Sequence, residues 1–329
     1  MQIQRPQSLS VARVELPTPI FFPSISTVKT ACTPLEYVGV LNALNVINGQ
    51  YLVSAFDLAH ADVGAQAELK RGLDAATEAG TIVLMDSGNY ESYWKNSSSS
   101  WMQSDFHRVL KDFPVALAFG FDEQQPPSDF DEHVRLICDR YTADQTAAGQ
   151  TIIIPIVHAK PEMLPTLCAA VANATGISML AVAERRLGGG VIERTRTLES
   201  IRRALDETGH YVGLHLLGTG NPISIALYSI AGADSFDGLE WCQTVVDHET
   251  ATLFHLTHAD FFKLQTQWGD SDWPFHVRTL AHNLEFYSDW VRRLRKAIHD
   301  GNGIEFCRIN FPQRIFSQCA AQLGWSSTT

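Results

Sequence analysis

Six polar or glycine residues each stand where a short apolar segment of the chain ends. They are Asp86, Asp122, His158, Glu184, Gly218 and Asp237. About one helix fits between each pair, and this regular alternation of strands and helices is typical of a parallel α/β barrel. Because a (β/α)8 barrel presents its catalytic groups at the carboxyl ends of its strands, the sequence predicts that these residues converge on one site.

The stretch from residue 214 to 238, LHLLGTGNPISIALYSIAGADSFDG, carries the leading nucleophile candidate. An apolar strand runs into the turn Gly218-Thr219-Gly220, Pro222 opens a helix, and a second strand ends on Asp237. An acid just past a strand, beside the glycine turn of a neighbouring strand, suits the catalytic rim of a barrel. The alternative is that Asp237 only caps a turn or helix.

A second acid ends the strand TIVLM, in the sequence Asp86-Ser87-Gly88-Asn89-Tyr90. This segment places a carboxylate and a hydroxyl at the rim, and Gly88 lets the backbone approach a ligand closely. Tyr90 can stack on a planar group that the acid binds. The same composition is also that of an ordinary turn.

Length and composition fit one globular domain. The chain has 329 residues, 45% of them hydrophobic and 19% charged, without an internal repeat or a linker, so we expect a single domain over 1–329. An amphipathic helix is expected at 281–299, with Leu284, Trp290 and Leu294 toward the core. Because no signal peptide or long apolar run is evident, we expect a cytoplasmic protein that does not enter membranes.

Charge and cysteine use narrow the function classes. The net charge of −11 argues against a surface that is basic throughout, so nucleic acid has to be bound by local patches. Arg185 and Arg186, directly after the strand that ends at Glu184, are candidates for such a patch, although a solvated helix face is the alternative. The six cysteines form no CxC or CxxC pair, so neither a disulfide framework nor a cysteine zinc site is expected.

A series of segments along nearly the whole chain resembles, in order, the tRNA-guanine transglycosylase superfamily. They are TPIFFPSISTVK, MDSGNY, AFGFDEQQPP, PIVHAK, MLAVAE, LLGTGNP, GADSFDG and LAHNLEFYSDWVRRLRKAIHDG. The resemblance implies a modified (β/α)8 barrel and the exchange of guanine for a 7-deazaguanine in nucleic acid.

The resemblance also implies a role for each matching residue. Asp237 matches the aspartate nucleophile and Asp86 the proton-transferring aspartate, Asp122 resembles the acid that reads the guanine edge, and Tyr90 the aromatic that stacks on the base. Leu217 stands where a methionine covers the other face of the base. The remaining base-binding residues that the resemblance implies are Ser87, His158, Met179, Leu180 and Gly218, with His158 in place of the usual glutamine.

Two departures from the family pattern distinguish this chain. Of the CxCxxC-plus-His zinc site only His282 remains, so we expect no structural zinc and no cofactor. Three further histidines, His255, His258 and His276, could belong to a different metal site, or be structural residues. In place of the arginine-containing PTRxGRN segment that grips the anticodon loop stands GLEWCQTVVDHET. Both departures resemble the branch that acts on DNA.

The residue types fit this chemistry independently of the resemblance. Exchange of a base at ribose C1′ needs one carboxylate to trap an oxocarbenium-like centre and a second group to protonate the departing base. The expected partners are DNA rather than tRNA, a 7-deazaguanine such as 7-cyano-7-deazaguanine, and accessory proteins that open DNA; a homodimer stays an open question. The alternatives are exchange in tRNA, a non-catalytic partner subunit, and an unrelated barrel glycosidase.

Overall fold

The computed structural model describes residues 4–27, 30, 32–89 and 101–325. The strands are β1 (Ser8–Val11), β2 (Val14–Pro17), β3 (Ile20–Pro23), β4 (Gln50–Ser54), β5 (Ile82–Asp86), β6 (Leu117–Phe119), β7 (Ile152–Ile154), β8 (Ile156–Val157), β9 (Met179–Ala183), β10 (Gly213–Leu217), β11 (Ser235–Gly238), β12 (Thr244–Val246) and β13 (Leu253–His255).

Helices separate most of these strands. They are α1 (Pro34–Ala43), α2 (Ala55–His60), α3 (Val63–Glu78), α4 (Gln103–Asp112), α5 (Phe130–Ala147), α6 (Leu164–Thr175), α7 (Val191–Asp206), α8 (Pro222–Ile230), α9 (Glu240–Gln243), α10 (Phe275–His299), α11 (Gly303–Asn310) and α12 (Gln313–Leu323). Short 3-10 helices lie at Glu184–Arg186, Leu256–Phe261 and Lys263–Gln265.

The strands form two parallel sheets and two antiparallel pairs. One parallel sheet has the order β3-β11-β10-β9-β8 and the other the order β4-β5-β6-β7, while β1 pairs with β2 and β12 with β13. This arrangement confirms the predicted α/β class with parallel strands. Parallel neighbours need a crossover connection, and the helices between the strands supply it.

The two parallel sheets meet at two places. Ser24, just after β3, forms a parallel bridge with Leu52 of β4, and the Ile25 amide donates to the Leu52 carbonyl at 2.8 Å. At the other meeting point Pro155 alone separates β7 from β8. The Ala181 amide of β9 donates to the Pro155 carbonyl at 2.9 Å. Strands of the two sheets are therefore hydrogen-bonded neighbours at one meeting point and continuous in sequence at the other.

Apolar side chains on alternate strand positions divide the interior into two clusters. The smaller cluster joins residues of both sheets, including Phe22, Leu52, Leu84 and Leu117. The larger cluster packs the helices onto the strands. Because successive strand residues point to opposite faces, one sequence of alternating apolar residues fills both clusters.

Local sequence explains how the helix beside the nucleophile candidate begins. Asn221 precedes α8, and its side-chain oxygen accepts from the amides of Ile223 at 3.0 Å and Ser224 at 3.3 Å. Pro222 occupies the first turn, where its fixed φ suits a helix and its missing N–H is not needed. Asn221 and Pro222 thus convert the glycine turn after β10 into a helix start.

The amphipathic helix expected at 281–299 is the carboxyl-terminal part of α10, which begins at Phe275. Leu284, Trp290 and Leu294 are buried in the larger cluster, as their spacing predicts. None of the helices in the described ranges combines the length and apolar character needed to cross a membrane.

Candidate active site

All six residues predicted at strand ends line one cavity of about 470 Å³. Asp86 is the last residue of β5, His158 follows β8, Glu184 follows β9, Gly218 follows β10, and Asp237 lies within β11. Asp122 follows β6 by three residues. Because parallel strands place their carboxyl ends at the same edge, residues far apart in sequence come together here.

Asp237 is 8% exposed and is held by three donors. The Ser24 hydroxyl donates to Oδ2 at 2.8 Å, while the Gly218 amide and His215 Nε2 both lie 3.0 Å from Oδ1. Gly218 has a φ of +75°, a backbone conformation that glycine adopts without strain. The donors stabilise a negative charge on Asp237 and fix the direction of its oxygens.

His215 is a site residue that the strand-end pattern does not reveal. It is fully buried inside β10, and its Nδ1 lies 2.7 Å from the Ser235 hydroxyl oxygen. A neutral ring with its proton on Nε2 satisfies both contacts, since Nε2–H donates to Asp237 and Nδ1 accepts from Ser235. The signal in the sequence is one polar residue inside the apolar run LHLL.

The Asp122 carboxylate already has several donors. His158 Nε2 lies 2.5 Å from Oδ2, which Gln124 Nε2 also contacts, and Asn89 Nδ2 lies 3.1 Å from Oδ1. His158 is 3% exposed, and its Nδ1 has no hydrogen-bond partner among the described residues. Since a carboxylate has about four acceptor positions, a base edge that binds Asp122 has to use the position left on Oδ1 or displace one of these donors.

The turn after β5 is tightly packed. The Gly88 amide donates to Asp86 Oδ2 at 2.9 Å, and the Trp101 indole donates to the Ser87 carbonyl at 2.9 Å. Gly88 has a φ of +79°, and a Cβ there would lie 2.5 Å from the backbone nitrogen of Phe56. Only glycine fits, so the sequence DSGN holds Asp86 and Ser87 at the cavity. Tyr90 lies outside the described residues.

Charged side chains that follow β9 in the chain also line the cavity. Arg194 Nη1 and the Tyr228 hydroxyl both bind Glu184 Oε1, at 2.8 Å and 2.9 Å. Arg185 Nη2 donates to Gln124 Oε1 at 2.8 Å, and Arg186 Nη2 to the Gln124 carbonyl at 3.2 Å. Of the two arginines that the sequence singles out, Arg185 lines the cavity and Arg186 supports the loop around Gln124.

Glu240 also lines the cavity, and no pattern in the sequence predicted it. Its carboxyl lies against the backbone of two glycines, since a Cβ on Gly238 would be 2.5 Å from Glu240 Oε2 and one on Gly220 would also clash with it. Burial raises the pKa of Glu240 to about 7, and the charges of Glu184 and Asp237 act in the same direction. Glu240 forms no ion pair with any cation in the described ranges.

Met179 and Leu180 are not brought to the cavity, contrary to the expectation that they bind the base. Both are buried at the start of β9, where Met179 pairs with Gly213. A strand rises about 3.3 Å per residue, so they lie well below the end of β9 at Ala183. Ala183 and Glu184 line the cavity in their place.

The histidines of the carboxyl-terminal half do not form a metal site among the described residues. No group of three or more His, Cys, Asp or Glu side chains there could hold a metal ion. His282 Nε2 lies 2.7 Å from the Val246 carbonyl, and its ring packs on that of His248 at 4.2 Å. Burial lowers the pKa of both, that of His248 to about 4. His255, His258 and His276 are exposed.

Neither models of known protein families nor a search of curated proteins yields a match to this chain. The cavity lies at the carboxyl ends of parallel strands, and its volume of about 470 Å³ falls within the range of small-molecule binding sites. Its lining combines apolar side chains, among them Leu52, Ile156 and Leu217, with several carboxylates. Such a lining suits a small ligand that has both apolar and polar surface.

Proposed function

We propose that this protein is a base-exchange transglycosylase that replaces guanine in DNA with a 7-deazaguanine through a covalent Asp237–deoxyribose intermediate. The observation that supports it most is that Asp86, Asp122 and Asp237, separated by up to about 150 residues, line the same cavity. This is what the resemblance to the tRNA-guanine transglycosylase superfamily requires of them.

We further propose that the strands close into the modified (β/α)8 barrel of that superfamily. Counting β7 with β8 as one strand, the two parallel sheets supply eight strands, β3 to β11. Two features support closure where the two sheets meet. Ser24 is bridged to Leu52 at one meeting point, and Pro155 alone separates β7 from β8 at the other. Helices between successive strands are the connections such a barrel needs.

Asp237 is proposed as the nucleophile. Its oxygens are oriented by Ser24, Gly218 and His215, so one lone pair can be directed at C1′ of a bound nucleotide. Attack forms the C1′–O bond while the C1′–N9 bond breaks, and its electron pair stays on N9 of the departing guanine. The incoming base reverses the step and regenerates the carboxylate.

Asp122 and His158 are proposed to bind the edge of the base. His158 Nε2 lies 2.5 Å from Asp122 Oδ2, which leaves Nδ1 of the same ring, unpartnered within the described ranges, for a hydrogen bond to the base. Asp86, on the same cavity, is the proton-transferring residue that the resemblance implies. Leu217 supplies an apolar surface for one face of the ring.

DNA is proposed over tRNA because the segment after Asp237 lacks the arginines of the anticodon-gripping pattern. Glu240 and Trp241 occupy it, and Trp241 is fully buried. The target base has to leave its stack to reach the cavity, so single-stranded or opened DNA is the expected substrate. Exchange in tRNA by the same chemistry is the second candidate.

The test is covalent trapping without an incoming base. Guanine-containing single-stranded DNA is mixed with the protein, and a denaturation-resistant adduct is expected together with one equivalent of free guanine. Asp237→Asn, which keeps the side-chain shape, should give none, while exposed Glu305→Gln should behave as wild type. An adduct with tRNA alone would favour the second candidate, and none with either nucleic acid would favour a non-catalytic partner subunit.

A further inference from the structure

The carboxyls around the cavity have contrasting surroundings. Asp237 is held by three donors and Asp122 by contacts to His158, Gln124 and Asn89. Glu184 is paired with Arg194. Each of these three carboxyls is therefore already engaged by side-chain donors, backbone donors or a cation.

Glu240 has different surroundings, because burial raises its pKa and the backbone amides of Gly220 and of Glu240 itself, which lower it, do not reverse the shift. It lies over Gly220 and Gly238 beside Asp237, and no cation in the described part of the chain pairs with it. The titratable groups that face it are Asp237 on β11, Glu184 after β9, Tyr287 on α10 and Cys242 on its own helix. The Tyr287 hydroxyl is occupied, since it donates to the Gly220 carbonyl at 2.6 Å.

We propose that Glu240 is a second proton-transferring carboxyl of the base exchange, which protonates the departing guanine and recovers the proton from the incoming base. The inference rests on the proposed function. A general acid has to hold its proton at the working pH, and environments that separate the pKa values of neighbouring carboxyls identify which one is the acid. Burial and two neighbouring acids raise the pKa of Glu240 to about 7, which meets this requirement.

The protons and electrons balance over both half-reactions. When Asp237 attacks C1′, the electron pair of the C1′–N9 bond moves to N9, which takes the proton of Glu240 and leaves a carboxylate there. When the 7-deazaguanine attacks, its N9–H returns the proton to Glu240 and the ester bond to Asp237 breaks. The same residue thus serves as acid and then as base, and no further reactant is needed.

Conversion of Asp237 to a neutral ester changes the charge next to Glu240. One of the acids that favour the protonated form of Glu240 then no longer carries charge. The Glu240 proton is therefore released more readily once the covalent bond to Asp237 has formed. Asp237 lies on β11 and Glu240 begins α9, three residues further on. Formation of the covalent bond at Asp237 is therefore coupled to release of the proton from Glu240.

The experiment compares two leaving bases in single-turnover release from single-stranded DNA. Glu240→Gln should slow guanine release by about 10²- to 10⁴-fold at pH 7, the usual contribution of a general acid. With 7-methylguanine, which is already cationic and leaves without a proton, Glu240→Gln should release the base within about threefold of wild type. Exposed Glu305→Gln is the matched control and should follow wild type on both bases.

The pH profile gives an independent readout. Wild-type guanine release should fall as the pH rises through about 7, and this alkaline decline should be absent from the residual activity of Glu240→Gln. Equal loss on both leaving bases would show a structural role and overturn the inference, and so would unchanged guanine release. Either result leaves base exchange intact, whereas no release by wild type from DNA or tRNA would overturn both proposals.

Discussion

His215 contacts Asp237 and Ser235 at once: its Nε2 lies 3.0 Å from Asp237 Oδ1, and its Nδ1 lies 2.7 Å from the hydroxyl oxygen of Ser235. The ring is fully buried and packs on Phe119 at 4.6 Å between ring centres. It therefore cannot contact a ligand, and it acts through Asp237 by holding one oxygen in place. His215 is a positioning residue.

A matched pair of substitutions tests this role. The amide nitrogen of His215→Gln can replace Nε2 and still donate to Asp237, whereas that of His215→Asn reaches only as far as Nδ1. We expect adduct formation to slow by about 10- to 100-fold in the asparagine variant and by much less in the glutamine variant. Single-turnover rates measure this, and equal losses in both variants would contradict the positioning role.

Gly88→Ala should destabilise the protein and displace the Asp86–Ser87 turn. Its φ of +79° disfavours alanine, and the added Cβ would clash with the backbone of Phe56. Gly80 is the matched control, because its φ is +81° but a Cβ there meets nothing within 4 Å. Gly80→Ala should lower the free energy of unfolding by about 1–2 kcal/mol. Gly88→Ala should lower it clearly more, and it should also abolish adduct formation. Urea denaturation compares the two, and equal costs would contradict the packing argument.

Asp234→Asn should be strongly destabilising. Asp234 is fully buried, and its Oδ1 accepts from Arg5 Nε at 2.8 Å and from the Tyr211 hydroxyl at 2.6 Å. Removing the charge leaves the guanidinium of Arg5 without its ion-pair partner, at a cost of about 3–5 kcal/mol. Denaturant unfolding measures this loss, with exposed Asp74→Asn as the control. A loss below about 1 kcal/mol would show that the network contributes little.

His248 should make stability depend on pH in the weakly acidic range. Burial lowers its pKa from 6.5 to about 4 in the folded protein, so the unfolded chain takes up a proton first as the pH falls. The stabilisation is complete above about pH 6.5 and is lost progressively toward pH 4. Unfolding free energies measured across this window should fall less steeply in His248→Gln, while exposed His258→Gln keeps the wild-type slope. An unchanged slope in His248→Gln would refute this assignment.

The strand ends at the cavity could be predicted from the sequence because they depend on local signals. A buried apolar run followed by a polar residue locates the end of a strand, and parallel strands share one edge. Asp86, Asp122 and Asp237 were found in this way. Strand bounds were less predictable: the apolar run from Val115 to Phe121 contains a strand of only three residues, Leu117–Phe119.

Residues whose role depends on packing were not predictable. The raised pKa of Glu240 arises from burial and from the nearby acids Glu184 and Asp237, and its carboxyl fits only because Gly220 and Gly238 lack side chains. The motif containing Met179 and Leu180 gives their order along β9 but not their depth in the sheet, which pairing with β10 determines. Such information is absent from a linear pattern.

Ser24 bridges to Leu52 and donates to Asp237, 213 residues away in the chain. Asp237, the proposed nucleophile, is consequently held by a residue that follows the first parallel strand, and this contact can form only after β11 has docked beside β3. Catalytic competence should therefore emerge late during refolding, after most helical signal has recovered. A circular permutant opened near residue 149, away from this seam, should bring Ser24 and Asp237 onto a shorter segment of chain and reach activity sooner.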